Sequence, residues 1–227
     1  MSPLLLVVAL FITALLTANV IAVKLVMVSG FVVPAGIVIF PLSYIVGDVL
    51  TEVYGYAVAR RVIWVGFGCN LLMVVAIWVG GRLPPAPFWA ENQAAYDTIL
   101  GFTPRLLLAS FLAYLFGEFA NSYVLARMKI ATRGRFLWTR TIGSTIVGEG
   151  LDSLIFITIA FIGALPSPAL ASAILTQWGL KTAYETLATP LTYVVVTWLK
   201  RVEGVDRFDR AENFNPFALG VMYEAQP

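Results

Sequence analysis

The chain alternates between long apolar runs and short, mostly basic connections. Six runs are long enough to cross a bilayer, at 4–24, 33–56, 61–80, 105–126, 141–164 and 173–199. A hydrocarbon core of roughly 30 Å needs about 20 apolar residues at about 1.5 Å each. The pattern therefore predicts an all-α polytopic membrane protein with six transmembrane helices. The second and sixth runs exceed the minimum and have room to tilt, break or hold a re-entrant piece. Pro41 and Pro190 are the expected interruption points, because proline removes a helix hydrogen bond. The connection "RLPPAPFWAENQAAYDTILGFTP" at 82–104 predicts an interfacial helix around 89–100. The first run has no Lys or Arg before Lys24. A cleavable leader wants a positive start, so this run is read as a retained span.

Composition agrees. Hydrophobic residues make up 59% and charged residues 12%, against roughly 45–50% and about 25% in a soluble domain. There is no histidine and a single cysteine, Cys69, which excludes intrachain disulfides and histidine-based catalysis or metal binding. No GxxxxGK[ST] phosphate loop is present, so ATP is not hydrolysed by that device.

Positive charge sets the orientation. Arg60 and Arg61, then Arg127, Lys129, Arg133, Arg135 and Arg140, then Lys200, Arg201, Arg207 and Arg210 fall on one face. Lys24, Arg82 and Arg105 fall on the other. Both termini are thus expected in the cytoplasm, with residues 1–202 as the transmembrane domain and 203–227 as a cytoplasmic tail.

The two halves echo each other. "VGDVLTE" at 46–52 and "VGEGLD" at 147–152 place Gly47-Asp48 and Gly148-Glu149 at an offset of 101 residues. Ala18-Asn19 and Ala120-Asn121 repeat at an offset of 102, each followed by a base, Lys24 or Arg127. This suggests a three-span unit used twice, about 4–82 and about 104–200, with no clear match between spans three and six. Three spans is an odd number, so the second copy would be inverted, a build in which a midplane site lies between the halves.

Six acids fall within the predicted spans: Asp48, Glu52, Glu118, Glu149, Asp152 and Glu185. Each costs at least ~2.5–3.5 kcal/mol near the bilayer centre, so they are expected to face the bundle interior. Asp48 and Glu52 are i, i+4, Glu149 and Asp152 are i, i+3, and Lys181 and Glu185 are i, i+4, each spacing sharing one helix face. Such groups suit protons, cations or a substrate rich in N–H donors. The structural alternatives are an intrahelical Lys181–Glu185 pair, Arg140 or Lys24 as a fixed partner of Glu118, and Asn19 and Asn121 as helix–helix hydrogen-bond glue. Tyr44, Tyr54, Tyr56, Trp138 and Tyr184 are candidate stacking platforms or packing residues. Gly143, Ser144, Gly148 and Gly150 permit either close helix approach or unwinding.

Three blocks carry a family resemblance: "FPLSYIVGDVLTEVYGYAVARRVIW" (40–64), "FGEFANSYVLARMK" (116–129) and "RTIGSTIVGEGLDSLIF" (140–156). They resemble the queuosine precursor transporter family, also called the VUT family, over about 12–201. The resemblance implies uptake of 7-cyano- or 7-aminomethyl-7-deazaguanine across a bacterial inner membrane, without a cofactor. A deazaguanine offers N1–H and 2-amino donors side by side, which one carboxylate can accept together. The expected lining is Asp48, Glu52, Glu149 and Asp152. A second tier holds Glu118, Glu185, Lys181, Asn19, Asn121 and Arg140, with Tyr44 among the aromatics. Energy coupling stands between a proton carried on a paired carboxylate and passive entry, and a homo-oligomer is compatible with the sequence. The alternatives are a carrier of another nucleobase or a vitamin, a binding subunit of an energy-coupled importer, and an intramembrane enzyme using Asp48 with Asp152.

Overall fold

A computed structural model describes residues 2–28, 31–101, 104–210 and 212–218. Helix α1 spans Pro3–Ile21. Two short antiparallel strands follow, β1 at Leu25–Val28 and β2 at Phe31–Pro34. A 3₁₀ turn at Ala35–Val38 leads into α2, Phe40–Val49, and a π-helical turn at Leu50–Tyr54. Helix α3 covers Tyr56–Arg82. After a 3₁₀ turn at Pro87–Asn92 come α4 (Gln93–Leu100), α5 (Pro104–Ala131), α6 (Leu137–Phe161) and α7 (Ser167–Glu203).

The chain is mostly helical, and four of its segments have the length and apolar composition to cross a membrane. These are Pro3–Ile21, Tyr56–Arg82, a stretch within Pro87–Ala131, and Leu137–Phe161. Two expectations are corrected. The fold is not purely helical, because β1 and β2 lie at the entry to the second apolar run. That run is broken, as its length allowed: α2 has 10 residues and starts with Pro41 in its first turn, where a missing N–H costs nothing. Pro190, by contrast, does not interrupt α7, which continues through it for 37 residues; the loss of one bond is local in so long a helix. The expected helix in the 82–104 connection is present as α4.

Glycine sets the closest helix contact. A Cβ on Gly148 of α6 would lie 2.7 Å from Asn121 Cβ and 3.0 Å from the Gly117 carbonyl oxygen of α5. Helix α6 is continuous across Gly143–Gly150, so these small residues serve close approach rather than unwinding. Arg105 at the far end of α5 donates to the Ile159 and Ile162 carbonyls, satisfying acceptors that the C-terminus of α6 leaves open.

The tail does not hang free. From Gly204, which terminates α7 in the left-handed region (φ 65°), it runs back across the starts of α3 and the end of α5. Asp209 accepts the Tyr56 N–H at 3.1 Å with each carboxylate oxygen, capping α3. Gly55 (φ 84°) makes room for this carboxylate, since a Cβ there would sit 2.8 Å from Asp209 Oδ1. Arg60 donates to the Asn213 and Asn215 carbonyls and pairs with Glu212 at 3.2 Å. Tyr56 Oη donates to the Phe214 carbonyl, and Trp64 Nε1 donates to that of Pro216. The end of the tail, 219–227, lies outside the described residues.

Burial tends to raise Asp206, yet Lys129 and Lys200 beside it hold its carboxyl below the usual range. Its contribution to tail docking is therefore present at neutral pH and lost as acid protonates it. Two outcomes are expected from thermal melts in detergent. Asp209→Ala removes the α3 cap and destabilises by about 1 kcal/mol, with faster proteolysis of the tail. Gly148→Leu forces α5 from α6 and costs about 1–3 kcal/mol, whereas Gly179→Ala, with nothing within 4 Å, leaves the melting temperature unchanged or slightly higher.

Candidate functional site

The predicted acids separate into two groups with different chemistry. The first is built on Glu52, which is fully buried. Arg140 grips it with two bonds, Nε to Oε2 at 2.8 Å and Nη2 to Oε1 at 2.7 Å. Lys200 Nζ donates to Oε1 at 2.6 Å, and Lys129 Nζ lies 3.6 Å away. Lys129 also donates to the Glu52 carbonyl at 2.5 Å and to Asp206 at 2.6 Å, and Lys200 reaches Asp206 at 2.9 Å. One carboxylate thus ties the π-helical turn to α5, α6, α7 and the tail. Every oxygen of Glu52 is engaged, and the arrangement is that of a structural junction.

Asp48 and Glu52 therefore do not act as one pair. The π-helical turn, with its i→i+5 bonding, turns Glu52 away from the partners of Asp48. Asp48 instead accepts Asn121 Nδ2 of α5 at 2.7 Å. Asn19, the matching residue of the first half, bonds Asn70 Oδ1 of α3 at 3.2 Å and stands apart from the acids.

The second group gathers Asp48 of α2, Glu118 and Asn121 of α5, Glu149 and Asp152 of α6, and Lys181 and Glu185 of α7. All are buried, with Glu118, Glu149 and Asp48 each only 1% exposed. Lys181 Nζ pairs with Glu149 Oε2 at 3.0 Å and with Asp152. It does not neutralise Glu185 one turn along its own helix, because the α6 acids take it. The Phe40 ring lies under the same ammonium, 4.0 Å from its centroid. Neither carboxylate oxygen of Glu118 or of Glu185 has a hydrogen-bond partner among the described residues. Glu118 pairs with neither Arg140, which Glu52 holds, nor Lys24, which is exposed.

Other polar atoms here are also unpaired: Tyr44 Oη, Asn121 Oδ1, Ser153 Oγ and Thr182 Oγ1. Tyr44 Oη and Glu118 each pack on a glycine of the facing helix. A Cβ on Gly117 would lie 2.8 Å from Tyr44 Oη, and one on Gly47 would lie 3.2 Å from Glu118 Oε2. Buried polar groups are ordinarily hydrogen-bonded, so this concentration of free acceptors and a free hydroxyl makes the group the candidate site. The two surface hollows, near Trp78, Arg82 and Tyr96 and near Tyr193, Trp198 and Arg201, do not reach it.

Helix geometry sets its depth. Glu149 lies nine residues along α6 from Arg140, and Glu118 eleven along α5 from Lys129. At about 1.5 Å per residue these are separations of about 13 Å and 16 Å, roughly half of a ~30 Å hydrocarbon core.

Of the candidate aromatics only Tyr44 joins the group. Tyr54 and Tyr56 lie on either side of Gly55, while Trp138 and Tyr184 are exposed. Phe40, Ser153 and Thr182 were not singled out from sequence. Phe40 precedes Tyr44 by four residues and shares its helix face, which is the signal that marks it; Ser153 and Thr182 carry none beyond adjacency to Asp152 and Lys181.

A family model described as "Putative vitamin uptake transporter" matches residues 34–195. A "Probable queuosine precursor transporter" of Bacillus subtilis (strain 168) is 33% identical over 182 residues, 79% of this chain and 79% of that protein. A "Queuosine precursor transporter" of Escherichia coli (strain K12) is 29% identical over 132 residues, 58% of this chain and 57% of that protein. No solved structure matches the chain significantly. The matched region runs from the turn before α2 into α7 and takes in both acid groups, and the chain belongs to the vitamin uptake transporter family of multi-pass membrane proteins.

Proposed function

We propose that the chain imports a queuosine precursor, 7-cyano- or 7-aminomethyl-7-deazaguanine, across the bacterial inner membrane. The observation that carries this reading is the buried polar group in which both Glu118 carboxylate oxygens and the Tyr44 hydroxyl are free, Tyr44 packing on Gly117, the residue before Glu118. A guanine-like edge presents two adjacent N–H donors and a carbonyl acceptor. A carboxylate can accept the former pairwise, and a phenol can donate to the latter. Glu118 is assigned to the N–H edge, Tyr44 to the carbonyl, and Asp48, held by Asn121, to the flanking wall. Glu149 and Asp152 line the opposite wall with Lys181. The names of the two relatives support the same solute class.

Transport follows by alternating access. The members of the polar group are buried, which supports reading this arrangement as an occluded form. Six spans in two inverted units, about 4–82 and 104–200, give such a site one wall from each half: Asp48 from the first, and Glu118, Glu149 and Asp152 from the second. Both termini are assigned to the cytoplasm, since Arg60, Lys129 and Lys200 meet the docked tail at one end, Arg140 joins the same junction through Glu52, and a basic end marks that side. Glu52 and Arg140 are assigned to holding the halves together, and Asn19 to joining α1 to α3 within the first half, rather than to touching solute.

Purified protein reconstituted alone in liposomes should accumulate labelled 7-cyano-7-deazaguanine, and excess unlabelled guanine analogues should compete. Glu118→Gln and Asp48→Asn should each cut uptake at least tenfold, as loss of hydrogen bonds to a charged group costs about 1.5–3 kcal/mol. Both should keep the wild-type melting temperature within a few degrees. Uptake at the wild-type rate in both variants, or no uptake by well-folded wild type, would sink the assignment.

A further inference from the structure

Among the described residues Lys181 is the only cation paired with the five buried carboxylates of this group, and its ammonium is committed to Glu149 and Asp152 on α6. Glu185 follows one turn later on α7, 5% exposed, with neither oxygen hydrogen-bonded. Asp48 of α2, Glu118 of α5 and Glu149 of α6 face it, with Lys181 on its own helix. Thr145 of α6 is also near, but its hydroxyl donates to the Thr141 carbonyl at 2.8 Å. An ionised Glu185 here would meet low dielectric, three acidic neighbours and no cation. A neutral carboxylic acid meets none of these penalties.

Closure and charge are therefore linked. With the Lys181 ammonium held by the α6 acids, the closed site accommodates Glu185 as the protonated acid. When that proton leaves, the i, i+4 spacing lets the flexible Lys181 stem bring its ammonium back to Glu185, freeing Glu149 and Asp152. We infer that Glu185 is a proton-binding site whose proton travels with the solute, Lys181 being its countercharge on the unloaded return. The step is a simple acid dissociation: the O–H bond of Glu185 breaks, the proton passes to water, and the carboxylate pairs with the ammonium. This inference rests on the carboxylate group being the solute site.

The first test mixes 7-cyano-7-deazaguanine with wild-type protein in weakly buffered detergent and reads heat and pH together. About one proton should be taken up per solute bound, with affinity falling as pH rises. Glu185→Gln, a mimic of the protonated acid, should bind solute with no proton uptake and no pH dependence, and Glu185→Asp should restore uptake of the proton. Binding without proton uptake in wild type, or unchanged proton uptake in Glu185→Gln, would overturn the inference while leaving the solute assignment intact. Absence of any binding heat would count against the solute site itself. A second measurement needs no ligand: difference infrared spectra over a pH series should show a protonated-carboxyl band that is missing from Glu185→Gln. A wild-type spectrum without that band would refute the proton site directly.

Discussion

A carboxylate carried into a membrane has to be answered by opposite charge, by hydrogen bonds or by a proton, and Glu52 shows the fully answered case. It lies at the break in the second apolar run and takes Arg140 in bidentate form, with Lys200 and Lys129 beside it. Removing one partner from such a buried pair leaves an uncompensated charge, which is strongly destabilising. Through this one side chain the π-helical turn is fastened to α5, α6 and α7. The tail joins the same junction through Asp206, so the arrangement of the helices at this end depends on it.

The deeper acids are the unanswered case, and the contrast is what singles them out as the candidate site. Glu52 spends all its acceptor capacity on protein, while Glu118 and Glu185 spend none on hydrogen bonds. Both environments exclude water, so the difference lies in the partners supplied. A fold that provides three cations to one acid and a single cation to five others concentrates unfulfilled hydrogen-bonding capacity where the helices meet. Gly47, Gly117 and Gly148 make this possible by letting α2, α5 and α6 approach until side chains on one helix touch the backbone of the next.

The tail adds a constraint of a different kind. Its contacts are largely backbone carbonyls offered to side chains fixed on α3, as with Arg60, Tyr56 and Trp64. A cap at Tyr56 and a tether at Arg60 together hold the start of α3 against the segment that carries Asp48 and Glu52. Arg60, Lys129 and Lys200, three of the basic residues at this end, thereby also dock the terminus.

Much of this was fixed by hydropathy and charge, which are local properties. Long apolar runs can only be membrane-buried segments, so the membrane class, the helices of Pro3–Ile21, Tyr56–Arg82 and Leu137–Phe161 and the burial of the six acids followed from sequence. The three signature blocks carried the family. What sequence could not decide was pairing, because an i, i+4 spacing states which residues share a face and not what stands opposite. Asp48 and Glu52 looked like one motif, yet a π-helical turn gave them different partners. Lys181 looked matched to Glu185, yet two acids on α6 compete better for its ammonium. The hairpin before α2, the persistence of α7 through Pro190 and the docking of the tail are likewise outcomes of packing between distant segments. Only the tertiary structure, by placing Arg140, Lys200 and Lys129 around one acid and leaving Glu118 and Glu185 without hydrogen bonds, separated the junction from the site.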